Sequence, residues 1–238
     1  MNDLSYSEKL MTWHTIEEQT WSSAKEICSG IWCYSEVIKP EMKVVKSIEN
    51  FLKSSNQHQW SEALVGHGIK MPDYRDCYDF KYKTGMGTMF DKNNNDFIEL
   101  DKMYNKTKYA QLQAIKHYSL MYNISELKHW EATNFVKYEN NQHFEYHSDH
   151  GFSYNCTLSM VSYPNDSYEG GELEFKIQDI KIKPEAGDTY LFPSNYMYPH
   201  RSCPVTKGVK YSMVTMLDYS QYFHTPEFYQ SVAKENSQ

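Results

Sequence analysis

Tyr146-His147-Ser148-Asp149-His150 is the run from which the rest of this sequence is read. In extended chain, side chains repeat on one face every second residue, so His147 and Asp149 point the same way and form a natural pair of metal ligands. The hydrophobic pattern around the run has the same period. Trp130 to Tyr138, Phe144 to Asp149, Tyr154 to Ser162, Glu172 to Phe175, Thr189 to Phe192 and Lys210 to Leu217 all read as strands. Gly170-Gly171, Pro184 to Gly187 and Pro193-Ser194-Asn195 punctuate them. Many short strands separated by Gly/Pro turns indicate a sandwich or jelly roll rather than a parallel α/β sheet.

Upstream the pattern is mixed. Leu4 to Ser29 places apolar residues at loosely helical spacing, and Gly30 to Ile38 reads as a strand. Pro40 suits a first helical position, and Val44, Val45, Ile48, Phe51 and Leu52 continue a helix that ends near Ser54-Ser55-Asn56. Trp60 to Phe90 alternates short apolar pieces with Gly66, Gly68, Pro72, Gly85 and Gly87, which reads as strands and turns. Asp91 to Glu99 has the look of a calcium loop. Asp96 and Lys102, however, stand where such a loop needs glycine and glutamate, leaving a polar turn that caps the next helix. Leu100 to Met121 then runs at helical spacing, and Pro226 to Gln238 reads as a short terminal helix. With no repeat or linker, the expectation is one domain over 1–238, mainly β with flanking helices. Residues 1–125 would supply support and lid, and 126–220 the core.

Composition narrows the function classes. Of 238 residues, 40% are hydrophobic and 23% charged, ordinary for a globular chain, and 21 tyrosines with 11 phenylalanines favour a β-rich interior. A formal net charge of −7 without a Lys/Arg run argues against a nucleic-acid footprint. No apolar run is long enough for a membrane span, and Met1 to Ser5 lacks a leader pattern, so a cytoplasmic protein is expected. Cys28, Cys33, Cys77, Cys156 and Cys203 are odd in number and contain no C-x-x-C, which favours reduced thiols.

His200, flanked by Pro199, is the third candidate ligand, and Lys210 follows it by ten residues. Two imidazoles and one carboxylate on one side of a metal, with open positions opposite, form the donor set of non-haem Fe(II) oxygen chemistry. Strand alternation places Lys210, Ser212, Val214 and Met216 on one face; a buried lysine there needs an anionic partner, whereas a solvated strand lysine needs none. His143 shares the strand parity of His147 but lies about 13 Å away, and His150 points to the opposite face. Zinc would also accept the set, and a zinc hydrolase would need Glu145 as its general base.

With these residues in place, the sequence resembles the Fe(II)- and 2-oxoglutarate-dependent dioxygenases of the prolyl 4-hydroxylase-like group. The resemblance is carried by Tyr138 nine residues before His147, Phe144, the H-x-D of His147 and Asp149, and Gly170-Gly171-Glu172. It continues through Pro184, Gly187, Asp188 and Phe192, and through His200, Pro204, Val205, Gly208 and Lys210. Asn141 stands where the family often has glycine, Ser162-Tyr163-Pro164 interrupts a usually longer strand, and Tyr74-Arg75-Asp76 is similar to an early arginine strand. The resemblance implies a double-stranded β-helix (a cupin-like jelly roll) with Fe(II) on His147, Asp149 and His200. It implies 2-oxoglutarate and O2 as co-substrates, with Lys210 on the distal carboxylate and Tyr138 and Ser212 donating to the same molecule. It also allows ascorbate as an accessory reductant.

A protein or peptide substrate, specifically peptidyl proline, is the favoured expectation. A free amino acid, another small molecule or a nucleobase would use the same chemistry, and a non-catalytic metal-binding jelly roll is the remaining reading. The stretches Gly66 to Asn95 and Gly151 to Asn155 are the candidate lids, offering Tyr74, Tyr78, Phe80, Tyr82, Phe152 and Tyr154 to a proline ring.

Overall fold

The structure, a computed structural model, describes residues 12–65, 68–85, 93–151 and 154–235. A hairpin of β1 (Ser23–Cys28) and β2 (Ile31–Ser35) leads into α1 (Val44–Ser54), followed by β3 (Ser61–Glu62), β4 (Arg75–Asp76) and β5 (Tyr78–Tyr82). The long α2 (Asn95–Met121) precedes β6 (His129–Trp130), β7 (Thr133–Tyr138), β8 (His143–His147) and β9 (Leu158–Ser162). Then come β10 (Tyr168–Gly170), β11 (Leu173–Phe175), β12 (Ile180–Ile182), β13 (Thr189–Pro193) and β14 (His200–Ser202). The chain ends with β15 (Val205–Gly208), β16 (Lys210–Asp218) and α3 (Pro226–Glu235).

Two antiparallel sheets face each other. The larger runs β1-β2-β13-β9-β16-β7-β5-β3 with β6 on β16, and the smaller runs β12-β11-β14-β8-β4. Alternation along the central strands decides what each face meets. Phe135, Met160, Leu191, Met213 and Leu217 point outward to Leu100, Tyr104, Ala114 and Tyr118 of α2 and to Ile48 and Phe51 of α1. Val136, Tyr138, Val161, Ser212 and Lys210 point inward, toward the small sheet. One face is thus sealed by helices, and the other is left to build a cavity.

The helices start where local chemistry allows. The Asn94 side chain caps α2, accepting from the backbone of Asp96 at 2.8 Å and Phe97 at 3.2 Å, as expected of the polar stretch before it; Asp91 and Lys92 of that stretch lie outside the described residues. The helix expected from Pro40 is broken. Pro40–Met42 form a single 3-10 turn, Lys43 is left-handed (φ 53°), and α1 begins only at Val44. A second expectation is overturned at the N-terminus. Ser23–Cys28, within the helical reading of Leu4 to Ser29, form edge strand β1, because pairing with β2 supplies backbone partners that outweigh the helix preference of Ala24-Lys25-Glu26. Leu4 to Met11 lie outside the described residues.

Two turns bear on the site. Asn140 and Asn141 both have positive φ (52° and 67°), so asparagine supplies the left-handed turn between β7 and β8 that glycine would otherwise supply. Gly170 (φ 72°) sits where a Cβ would come within 2.3 Å of the Pro204 carbonyl oxygen, so only glycine lets β10 lie beside β15 there. Among the described residues no helix is long and apolar enough to cross a membrane.

Candidate metal centre

In the small sheet, His200 of β14 lies directly across from His147 of β8. The register then slips: Ser202 faces Phe144, so Glu145 and Tyr146 together oppose Arg201 alone, a β-bulge. The extra residue reverses strand parity. Phe144 therefore shares the inner face with His147, and the equal parity expected of His143 and His147 is broken. Asp149 follows two residues after β8 ends and turns back, its Oδ1 3.5 Å from His147 Nε2 and its Oδ2 3.7 Å from His200 Nε2. The three ligand atoms lie within 4.8 Å of one another and could hold a metal ion.

The surroundings orient all three. His147 Nδ1 is 2.8 Å from the Glu145 carbonyl oxygen and His200 Nδ1 is 3.2 Å from that of Tyr198. With Nδ1–H donated to a carbonyl, each Nε2 presents a lone pair to the centre. Ser159 Oγ donates to Asp149 Oδ2 at 2.5 Å, and Ser194 Oγ stands 2.7 Å from Ser159 Oγ and 2.9 Å from Cys156 Sγ. Phe144 stacks on His147 with centroids 3.6 Å apart, while Phe175 and Phe192 pack against His200. Burial raises the Asp149 pKa, but His200, His147 and the Ser159 hydroxyl outweigh it and hold the carboxyl down at about 2. Burial, with His147 beside it, pushes His200 down to about 4 despite the opposing pull of Asp149. A carboxylate and a neutral imidazole are the forms a divalent cation binds, so the donor set fits Fe(II).

The opposite wall belongs to the large sheet. Lys210 is paired across β16 and β7 with Tyr138 and is 1% exposed. Its Nζ donates to the Gly171 carbonyl and the Ser202 hydroxyl, both at 2.7 Å, and lies 5.1 Å and 5.3 Å from the ring centroids of Tyr138 and Tyr163. Among the described residues no carboxylate is paired with it, and burial pushes its pKa down to about 7. Ser212, one alternation further along β16, is buried on the same face. His147, Asp149, His200, Tyr138, Lys210 and Ser212 all line one cavity of about 560 Å³ between the sheets. A larger hollow of about 690 Å³ beside α2, bordered by Glu18, Lys39, Glu41, Lys102 and Lys106, contains none of them.

The rival residues are placed elsewhere. His143 reaches the Asp73 carbonyl at 3.4 Å, and His150 Nδ1 sits 2.9 Å from the Cys156 carbonyl. The Glu145 side chain is 39% exposed, lies 3.9 Å from Arg201 on the outer face and is not among the residues lining the cavity, so it is not placed as a hydrolase base. Of the aromatic residues proposed for a lid, Tyr74 and Tyr154 line the cavity, whereas Phe80 and Tyr82 are buried core; Phe152 lies outside the described residues. Sequence reasoning missed Ser159, Ser202 and Asn134. Ser202 had a usable signal, since it shares the parity of His200 on one short strand. Asn134 had one too, since it shares the parity of Tyr138 along β7, whereas Ser159 had none, because it acts across strands.

With the geometry in place, comparisons add the following. Residues 133–217 match the model of the 2OG-Fe(II) oxygenase superfamily. A search of the curated proteins found no match. Among solved structures, the chain is similar to a prolyl hydroxylase from Trichoplax adhaerens in complex with a hypoxia-inducible-factor oxygen degradation domain peptide. The TM-score is 0.65 at 11% identity, covering 91% of this chain and 94% of that one. It is also similar to a prolyl-4-hydroxylase of Pseudomonas putida (TM-score 0.57, 15% identity, 79% and 92% covered). A third is the viral collagen prolyl hydroxylase of Paramecium Bursaria Chlorella virus-1 in its 2-oxoglutarate complex (TM-score 0.56, 15% identity, 81% and 98% covered). The shared architecture is the double-stranded β-helix.

Proposed function

We propose that the chain carries a 2-oxoglutarate-dependent Fe(II) oxygenase core, a reading supported by the match over residues 133–217, and that it hydroxylates an unactivated C–H bond of a prolyl residue within a peptide. The observation that carries the reading is the joint presence, in one cavity, of the His147–Asp149–His200 donor set and a buried lysine with no carboxylate partner among the described residues. In this assignment His147, Asp149 and His200 hold the iron. Lys210 takes the distal carboxylate of 2-oxoglutarate as a charge-assisted pair, and Tyr138 and Ser212 line the same end. When bound, iron with 2-oxoglutarate and O2 supplies oxidative decarboxylation to succinate and CO2 together with transfer of one oxygen atom to the substrate. The residues of the chain bind, orient and exclude water: Val161, Leu173 and the rings of Tyr138 and Tyr163 wall the inner cavity.

The peptide preference is supported by the cavity, whose lining includes Leu64, Tyr74 and Tyr154 as well as the metal donors, and by the fold shared with a prolyl hydroxylase captured with a peptide. The test measures succinate from 2-oxoglutarate with Fe(II) and O2, with capped proline-containing peptides, free L-proline or short oligonucleotides. Coupled gain of one oxygen atom by a peptide is expected. Oxidation of free proline or of a base, with peptides inert, would reject the peptidyl choice. Absence of any 2-oxoglutarate turnover would favour a binding module instead.

A further inference from the structure

Three charged residues that line the cavity away from Lys210, namely Arg75, Lys81 and Glu131, have ionic partners. Arg75 donates from Nη2 to Asp79 Oδ2 at 3.2 Å and from Nη1 to the Leu64 carbonyl at 2.7 Å; Lys81 Nζ lies 3.7 Å from Glu131 Oε1. Between these pairs stands Asn134. Register places it on β7 between Lys81 of β5 and Val214 of β16, four residues and about 13 Å along the strand from Tyr138. Its Nδ2 donates to the same Asp79 oxygen at 3.3 Å, which fixes the amide orientation, since Oδ1 toward the carboxylate would be repulsive. Oδ1 is therefore left as an acceptor. It is shielded from solvent and has no hydrogen-bond partner among the described residues, and the same is true of Arg75 Nε. A polar atom held in that state is a cost to the empty protein that a bound group can remove. This wall is joined to the metal donors by stacking, with the Arg75 guanidinium 4.9 Å over the Phe144 ring that lies on His147.

We propose that Asn134 is a specificity-determining residue that accepts a hydrogen bond from a substrate peptide N–H next to the residue being hydroxylated. The inference rests on the oxygenase reading above and deepens it. Among the described residues the guanidinium, ammonium and carboxylates of this wall are paired with one another, so it offers no unpaired charge to the ionic ends of a single amino acid. A lone neutral acceptor suits a neutral amide. Proline lacks an N–H, so the donor belongs to the residue that follows it.

The probes are a capped peptide containing one proline and its depsipeptide twin, in which an ester oxygen replaces the N–H that follows the proline. Wild-type protein is expected to convert the amide with a kcat/KM at least about tenfold above that of the ester, because the ester leaves Oδ1 unpaired. Asn134→Leu, of similar size but without the acceptor, is expected to treat the two alike. Equal conversion by wild type, or discrimination retained in Asn134→Leu, overturns the role of Asn134 and leaves the peptide reading intact. If both peptides are inert while free L-proline is oxidised, the peptide reading fails and this inference fails with it. The wild-type comparison needs no variant, so a misfolded Asn134→Leu cannot mask the answer.

Discussion

Single side chains decide whether the centre works, and two of them make opposite demands on protons. His147→Ala, Asp149→Ala and His200→Ala are each expected to abolish tight Fe(II) binding and turnover; Asp149→Glu should also fail, because a longer arm misplaces the oxygen beside Ser159. Titration with limiting metal checks this, and wild-type affinity in any of the three alanine variants would refute the assignment. Lys210 must be charged to hold a carboxylate, yet burial sets its pKa at about 7 in the ligand-free protein. Above that value the proton must be taken up on binding, so 2-oxoglutarate affinity is expected to fall by about tenfold per pH unit. Folding carries the reverse sign. Between about 7 and the ordinary lysine range the unfolded chain binds the extra proton, so stability contributed by this group rises with pH. Calorimetric binding measured across pH 6.5 to 9 tests the first statement, and a Lys210→Met variant without that pH dependence completes it. The six expected site residues were picked out in the sequence by residue type and motif, and they line one cavity. Asn134 was not picked out, since its meaning comes from Asp79, far away in sequence.

At the scale of elements, what was legible followed the strength of the local signal. The 27-residue α2 and the central strands β7, β9 and β16 were plain, because long helices and buried strands repeat a hydrophobic period many times. The short strands β10, β12, β14 and β15 span three or four residues each, too few for any period, and are held by partners rather than by propensity. The bulge at Glu145-Tyr146 was equally invisible, yet it brings Phe144 onto His147. β1 was misread for a related reason, since an edge strand with one buried-leaning face carries charges that also suit a helix. The cap on α2 yields a clean test. Asn94→Ala removes the acceptor for two backbone N–H groups and is expected to lower stability by about 1 kcal/mol. Chemical denaturation should show this as a lower midpoint with unchanged slope and unchanged metal affinity; an unaffected midpoint would mean the first turn frays already.

For the whole molecule, the distribution of labour between the two sheets matters most. His147 and His200 belong to the small sheet, whereas Lys210, Tyr138 and Ser212 belong to the large one, whose outer face α1 and α2 brace. The Lys210 ammonium on the large sheet crosses the gap to the Ser202 hydroxyl on the small one and also bonds the Gly171 carbonyl. A dicarboxylate gripped at one end by the ammonium and at the other by a metal on the histidines would act as a removable crossbar between the layers. Its departure would let them breathe. Amide hydrogen exchange is therefore expected to slow in β8, β14 and β16 together when metal and 2-oxoglutarate are both added, and much less with either alone. Protection confined to β16 would show that the layers are independent. A protein built this way would tune its stiffness with the supply of 2-oxoglutarate, so its resistance to proteolysis is expected to report on the concentration of that acid around it.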